Sequence, residues 1–151
     1  MDWNHNVTLQ NRTLLLKIIE NFSLDQLNII PDGYRNSIFW NLAHTVVTQQ
    51  SLVYGLSNIP LLVDDPLVQT YRKGTQTEHD ATEEEFRLIK SLLISTIEQT
   101  KLDYDNAVFK NFTPYTTSLN VTLTSVEEAL SFNTFHEGIH LGYILAMKNS
   151  L

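Results

Sequence analysis

His136 and His140 stand four residues apart in the run HEGIH, and His44 lies far upstream in WNLAH. On a helix, residues i and i+4 share a face with Cβ atoms about 5–6 Å apart. Two imidazoles so placed can share one divalent ion at Zn–N distances of about 2.0–2.1 Å. A third imidazole from a facing helix completes the set and leaves one coordination position open, which distinguishes a working metal from a structural one. A lone histidine on an apolar helix face is more often a hydrogen-bonded core residue than a ligand. A pair on a buried face is harder to dismiss, because two unpartnered buried imidazoles are costly.

HEGIH also fits the zinc-peptidase pattern HExxH, with Glu137 in the general-base position. Three features argue against a peptidase. No glutamate helix is expected in the residues after the motif, which stop at Leu151. The extended pattern fails, since Tyr143 and Ala146 stand where glycine and histidine are required. A peptidase also sets this helix below an active-site sheet, and the sequence offers a single hairpin. Glu137 lies about 100° around a helix from His136. It therefore reads as a solvated carboxylate, or as one that orients a ligand or a metal-bound water.

Four helical stretches must position these residues. The first covers about residues 3–22, where Trp3, Val7, Leu14, Ile18 and Phe22 recur at steps of four or seven beside Leu15 and Ile19, interrupted by Gln10 and Asn11. Ser23 and Gln26 form a capping-box pattern for a short extra turn, and Pro31, Asp32 and Gly33 then break the chain. The second helix covers about residues 36–56. The third starts at Thr82, with Glu85 as its capping partner, and reaches about Lys101. The fourth starts near Ser125, paired with Glu128, and runs nearly to the end.

A long loop containing Pro60, Pro66 and Gly74 joins helices two and three. Before the last helix, LNVTL (residues 119–123) alternates as a strand does, and TPYTT (residues 113–117) is its hairpin partner. The expected fold is a single all-α domain over residues 1–151, a four-helix bundle with a small β-hairpin before the last helix. A helix of 20 residues is about 30 Å long. A loop as long as residues 57–81, at about 3.3 Å per residue, can run back along it. Helices two and three are therefore expected to be parallel neighbours.

His136 and His140 share their expected face with Ala129, Asn133, Tyr143, Ile144 and Met147. Around His44 the face holds Ser37, Trp40, Asn41, Val47, Thr48 and Ser51. So small and polar a stripe gives up packing, and predicts a cavity beside the histidines walled by Trp40, Asn41 and Thr48. Asn41 and Asn133 read either as supports that hydrogen-bond the ligands or as satisfied core amides, and the Tyr143 hydroxyl can meet a metal-bound ligand. Arg72 and Lys73 in YRKGT can clamp a carboxylate, while His5 and His79 read as bystanders.

The remaining composition excludes more than it selects. With no cysteine, the 151 residues make no disulfide, thiolate zinc site or cysteine nucleophile. A net charge of −7 without a basic run gives no footprint for a phosphate backbone, so no nucleic-acid partner is expected. No apolar run approaches the roughly 18 residues of a membrane span, and the N-terminus lacks a secretion-signal pattern. No membrane partner is expected, and a cytoplasmic protein is.

Taken in order, FWNLAH (residues 39–44), YRKGT (residues 71–75) and HEGIHLGYI (residues 136–144) resemble the DinB/YfiT-like metal-binding family over nearly the whole chain. The resemblance implies a bundle in up-down-down-up order, frequent homodimers, and a divalent metal such as zinc or nickel on His44, His136 and His140. Characterised relatives include S-transferases and isomerases that use a low-molecular-weight thiol. It thus implies a metal-dependent enzyme, a thiol-dependent transferase or a hydrolase, acting on a small molecule, with any thiol supplied from outside. The competing reading is a non-catalytic, stress-associated dimer that binds a metal or a ligand.

Overall fold

The computed structural model describes residues 2–151. Four long helices form the frame: α1 (Asp2–Ile19), α3 (Ile38–Gln50), α5 (Glu83–Asp105) and α6 (Val126–Met147). Two short helices, α2 (Leu24–Asn28) and α4 (Asp65–Tyr71), lie in the connections. Strands β1 (Tyr115–Thr116) and β2 (Thr122–Leu123) pair antiparallel just before α6.

Local chemistry sets most of these boundaries. Ser23 and Thr82 each accept from a backbone N–H three residues on, and the side chains of Gln26 and Glu85 return the bond. Such reciprocal caps satisfy two orphan donors apiece. At α6, Ser125 accepts from the Glu128 N–H as expected, but the Glu128 carboxylate turns to the N–H and hydroxyl of Thr124. The long loop is not structureless. Asp64 caps α4 and Pro66 sits in its first turn, where a missing N–H costs nothing. The proline read as a breaker is thus a helix start. The second helix was expected as one α-helical run; it changes at Ser51–Gly55 to a π-helical turn, which places Ser51 and Leu52 differently from a continued α-helix.

The hydrogen bonds across the bundle give its topology. Asn4 meets Ser131, Thr8 meets Thr134 and Arg12 meets Glu137, so α1 and α6 run parallel. Gln49 meets Thr100 and Tyr54 meets Asp103, while Phe39 packs on Phe86, so α3 and its extension run parallel to α5. Asn41 meets His140 while Val53 packs with Leu130, so α3 and α6 are antiparallel. The order is up-down-down-up, with the loop after α3 returning along the bundle.

The core runs from Leu15 and Ile19 of α1 through Phe39, Leu42 and Val46 of α3 to Ile89 and Leu93 of α5 and Ile144 of α6. The expected stripe on α1 needs correction. Trp3 and Leu14 face outward, at 78% and 42% exposure, and the inward line is Thr8, Arg12, Leu15 and Ile19. Scoring apolar residues alone misses a stripe with a charged residue at its centre. Among the described residues, no helix is long and apolar enough to cross a membrane.

Candidate metal centre

His44, His136 and His140 converge between α3 and α6, with one ligand atom from each lying within 4.8 Å of the others. His140 Nε2 and His136 Nε2 are 3.2 Å apart. Two donors on a tetrahedral ion at bonds of 2.0–2.1 Å stand roughly 3.3 Å apart, so this pair already has the spacing that a shared cation needs.

Hydrogen bonds fix which nitrogens face inward. The His44 Nδ1–H donates to the Tyr71 carbonyl at 2.6 Å, leaving Nε2 as the bare nitrogen. The His140 Nδ1–H donates to Asn41 Oδ1 at 2.8 Å. Asn41 cannot present its amide the other way round, because its Nδ2 donates to the Ser37 carbonyl at 2.8 Å. Such outer partners set tautomer and ring orientation at metal sites. Thr48 donates its hydroxyl to His44 Nε2 at 3.2 Å, a bond that a cation would replace. His136 Nδ1 is buried without a partner. Trp40 stacks on His44 with centroids 4.5 Å apart and planes 13° from parallel, which holds the ring against rotation.

The electrostatics favour neutral imidazoles. Burial lowers the pKa of His44, against a smaller opposing effect of its bond to Tyr71. Burial and then the neighbouring His44 push His136 down to about 4. Burial, His136 and His44 together push His140 down to about 3. A neutral imidazole is the form that ligates. The donor set, its spacing and its locked tautomers therefore fit a divalent ion.

Beside the cluster opens a cavity of about 500 Å³. His44 and His136 form one wall; Val47, Leu52, Leu56 and Phe132 make the middle apolar; Arg72 and Lys73 stand at the rim, and the hairpin adds Tyr115 and Thr117. Thr48 lines it as expected and Ser51 joins it, whereas Trp40 and Asn41 lie behind the imidazoles as supports. The unforeseen helix α4 matters here, since it delivers the Tyr71 carbonyl to His44 and is capped at its end by Arg72.

Three expected roles are corrected. Glu137 is fully buried, neither solvated nor aimed at the histidines; it accepts from Arg12 at 2.7 Å and from Asn133 at 2.9 Å. Asn133 belongs to this ion pair and not to the cavity. Tyr143, expected in the core, is 52% exposed and packs edge-on against Tyr34. One cause explains all three. The buried residues of α6 include Ala129, Leu130, Asn133, Glu137 and Ile144. At about 100° per residue, that arc is centred past His140 toward Glu137. The histidines mark the edge of the buried face, and Tyr143 falls beyond it. His79 is exposed beside Glu85, and His5 lies on α1 far along the chain from the cluster's helices. Sequence reasoning missed Arg12 altogether; a single arginine in a helix gives no signal of burial.

A family model described as the DinB superfamily matches residues 8–144. The chain belongs to that superfamily. None of the curated proteins matches it.

Proposed function

We propose that this protein is a metal-dependent enzyme in which His44, His136 and His140 hold one zinc or nickel ion beside a pocket for a small anionic molecule, and that it transfers a low-molecular-weight thiol to an electrophile. The observation that carries this reading is the meeting of three neutral imidazoles, two of them with locked tautomers and two of them on the wall of a large cavity. A bound divalent ion would favour the thiolate of a coordinated thiol, which is the nucleophilic form.

The protein's own residues supply the rest. Arg72 and Lys73 offer two cations at the cavity rim, suited to a carboxylate on the cosubstrate. The apolar middle excludes water from the carbon chain between that carboxylate and the thiol. The described residues lining the cavity include no carboxylate. This disfavours hydrolysis by a carboxylate base and suits a reaction whose nucleophile would be ionised by a bound cation instead of by a side-chain base. Phe135, Ile139 and Tyr143 expose an apolar line on α6 at spacing four, which supports a homodimer through that helix.

The second reading, a non-catalytic metal- or ligand-binding dimer, draws support from the placement of Glu137 and Tyr143. Neither candidate catalytic side chain lines the cavity. The test begins with metal analysis of untagged protein, followed by incubation with a panel of thiols and electrophiles. Near-stoichiometric metal and thiol-dependent loss of an electrophile are expected. Tight metal without turnover across the panel establishes the second reading instead.

A further inference from the structure

A buried ion pair with a dense set of hydrogen bonds lies immediately behind the histidines. Arg12 and Glu137 are both fully buried. Arg12 Nε donates to both carboxylate oxygens at 3.1 Å and Nη2 donates to Oε1 at 2.7 Å. Nη1 reaches α5, donating to the Leu93 carbonyl at 3.0 Å and to Thr96 Oγ1 at 2.9 Å. Nη2 also reaches α3, at the Thr45 carbonyl, 3.4 Å away. One guanidinium on α1 thus touches all three other long helices. On α3 it touches the residue after His44, and on α6 the residue after His136.

We infer that the Arg12–Glu137 pair is a positioning device that fixes the rotation and separation of α3 and α6, and so the distances among His44, His136 and His140. Two physical arguments carry this. Replacing a buried ion pair by apolar residues of similar volume is often neutral or stabilising, so stability alone gives it little reason to be charged. A planar fork with five donors holds fixed directions, and an apolar contact does not. A helix rotated by one residue's angle would carry His136 out of reach of His44, and the bidentate bond to Glu137 opposes that rotation. This rests on the reading of the three histidines as a metal site.

The test uses the double variant Arg12→Met with Glu137→Met, and separately Arg12→Lys, which keeps the charge and loses the fork. Two readouts are taken. Cobalt(II) affinity is measured by its visible spectrum in competition with a chelator. In metal-free protein, long-range proton–nitrogen NMR reports the histidine tautomers, a signal independent of whether metal binds. The double variant is expected to unfold no more easily than the parent, yet to bind cobalt at least tenfold more weakly and to lose the single Nδ1–H tautomers of His44 and His140. Arg12→Lys is expected to fall between it and the parent. A folded double variant with affinity within threefold of the parent and unchanged tautomers overturns the inference. So does failure of the double variant to fold while Arg12→Lys keeps parental affinity, since the pair is then structural. If the parent binds no cobalt while the double variant still loses those tautomers, the metal reading is contradicted and the positioning role stands.

Discussion

Two polar clusters sit inside the same bundle within one residue of each other in sequence, and they differ in how their bonds are filled. Around Arg12 and Glu137, every guanidinium nitrogen has an acceptor, and both carboxylate oxygens have donors. Around His44, His136 and His140, the outer nitrogens of two rings are tied to Tyr71 and Asn41, while inner nitrogens of His136 and His140 face each other at 3.2 Å. A filled cluster holds structure and has nothing left to bind with. A cluster whose nitrogens converge, with two of its three tautomers fixed, has bonding capacity left for something that is not protein. Both are costly to bury, so the contrast in filling, and not burial itself, separates scaffold from site.

The contrast breaks first at the histidines. His140→Ala is expected to abolish stoichiometric zinc binding, measured by metal analysis after dialysis, while circular dichroism keeps most of its helical signal. Unfolding on that change would make the histidine cluster a structural one.

The filled cluster gives the opposite pattern. Glu137→Ala leaves the Arg12 charge buried without its partner, which costs about 3–5 kcal/mol, read as a large fall in the urea midpoint. A loss below about 1 kcal/mol would show that Arg12 finds other partners or water.

Acid sharpens the comparison next. His136 and His140 have folded pKa values near 4 and 3, below the ordinary 6.5, because burial disfavours their charge. The unfolded chain therefore binds more protons between about pH 6.5 and 3, and stability of metal-free protein rises with pH across that window. It is lost as pH falls through the window and is flat above it. As pH is lowered from 8 to 4, urea midpoints are expected to fall less steeply in His136→Ala than in the parent. Equal slopes would mean that the imidazoles take up protons without cost.

A smaller effect belongs to the rim. Arg72 is exposed and its contribution is screened, so Arg72→Ala is expected to weaken an anionic thiol cosubstrate by about two- to fivefold, as for other exposed ion pairs, with zinc affinity unchanged. The smallest concerns an unfilled spot near the scaffold cluster. His5 Nδ1 and Asn133 Oδ1 are buried without partners and border a void of about 10 Å³. One ordered water between them is expected in a high-resolution crystal structure.

How much of this was legible differs between the two clusters for a physical reason. The spacing of His136 and His140, the caps at Ser23 and Thr82, and the parallel pairing of the second and third long helices follow from local periodicity and chain length. All three hold in the structure. Arg12 and Glu137 do not announce themselves, because each is an ordinary surface residue until the other arrives from 125 positions away. Centring the buried face of α6 on the histidines misplaces Tyr143, whereas Asn133 is buried as that face predicts and bonds to Glu137 instead of to a histidine. The inward direction is set by what α1 and α5 offer, and a single helix does not carry that information. Helix α4 was hidden because Pro66 reads as a breaker unless Asp64 is recognised as the cap before it.

The central claim is that these three imidazoles bind a common ion and leave it a free position. X-ray absorption at the zinc edge, on untagged protein loaded with one equivalent, tests it most directly. Three imidazole nitrogens at about 2.0–2.1 Å with one further light atom are the expected shell. A shell of oxygen ligands without imidazole scattering, or four imidazoles closing the site, would contradict it.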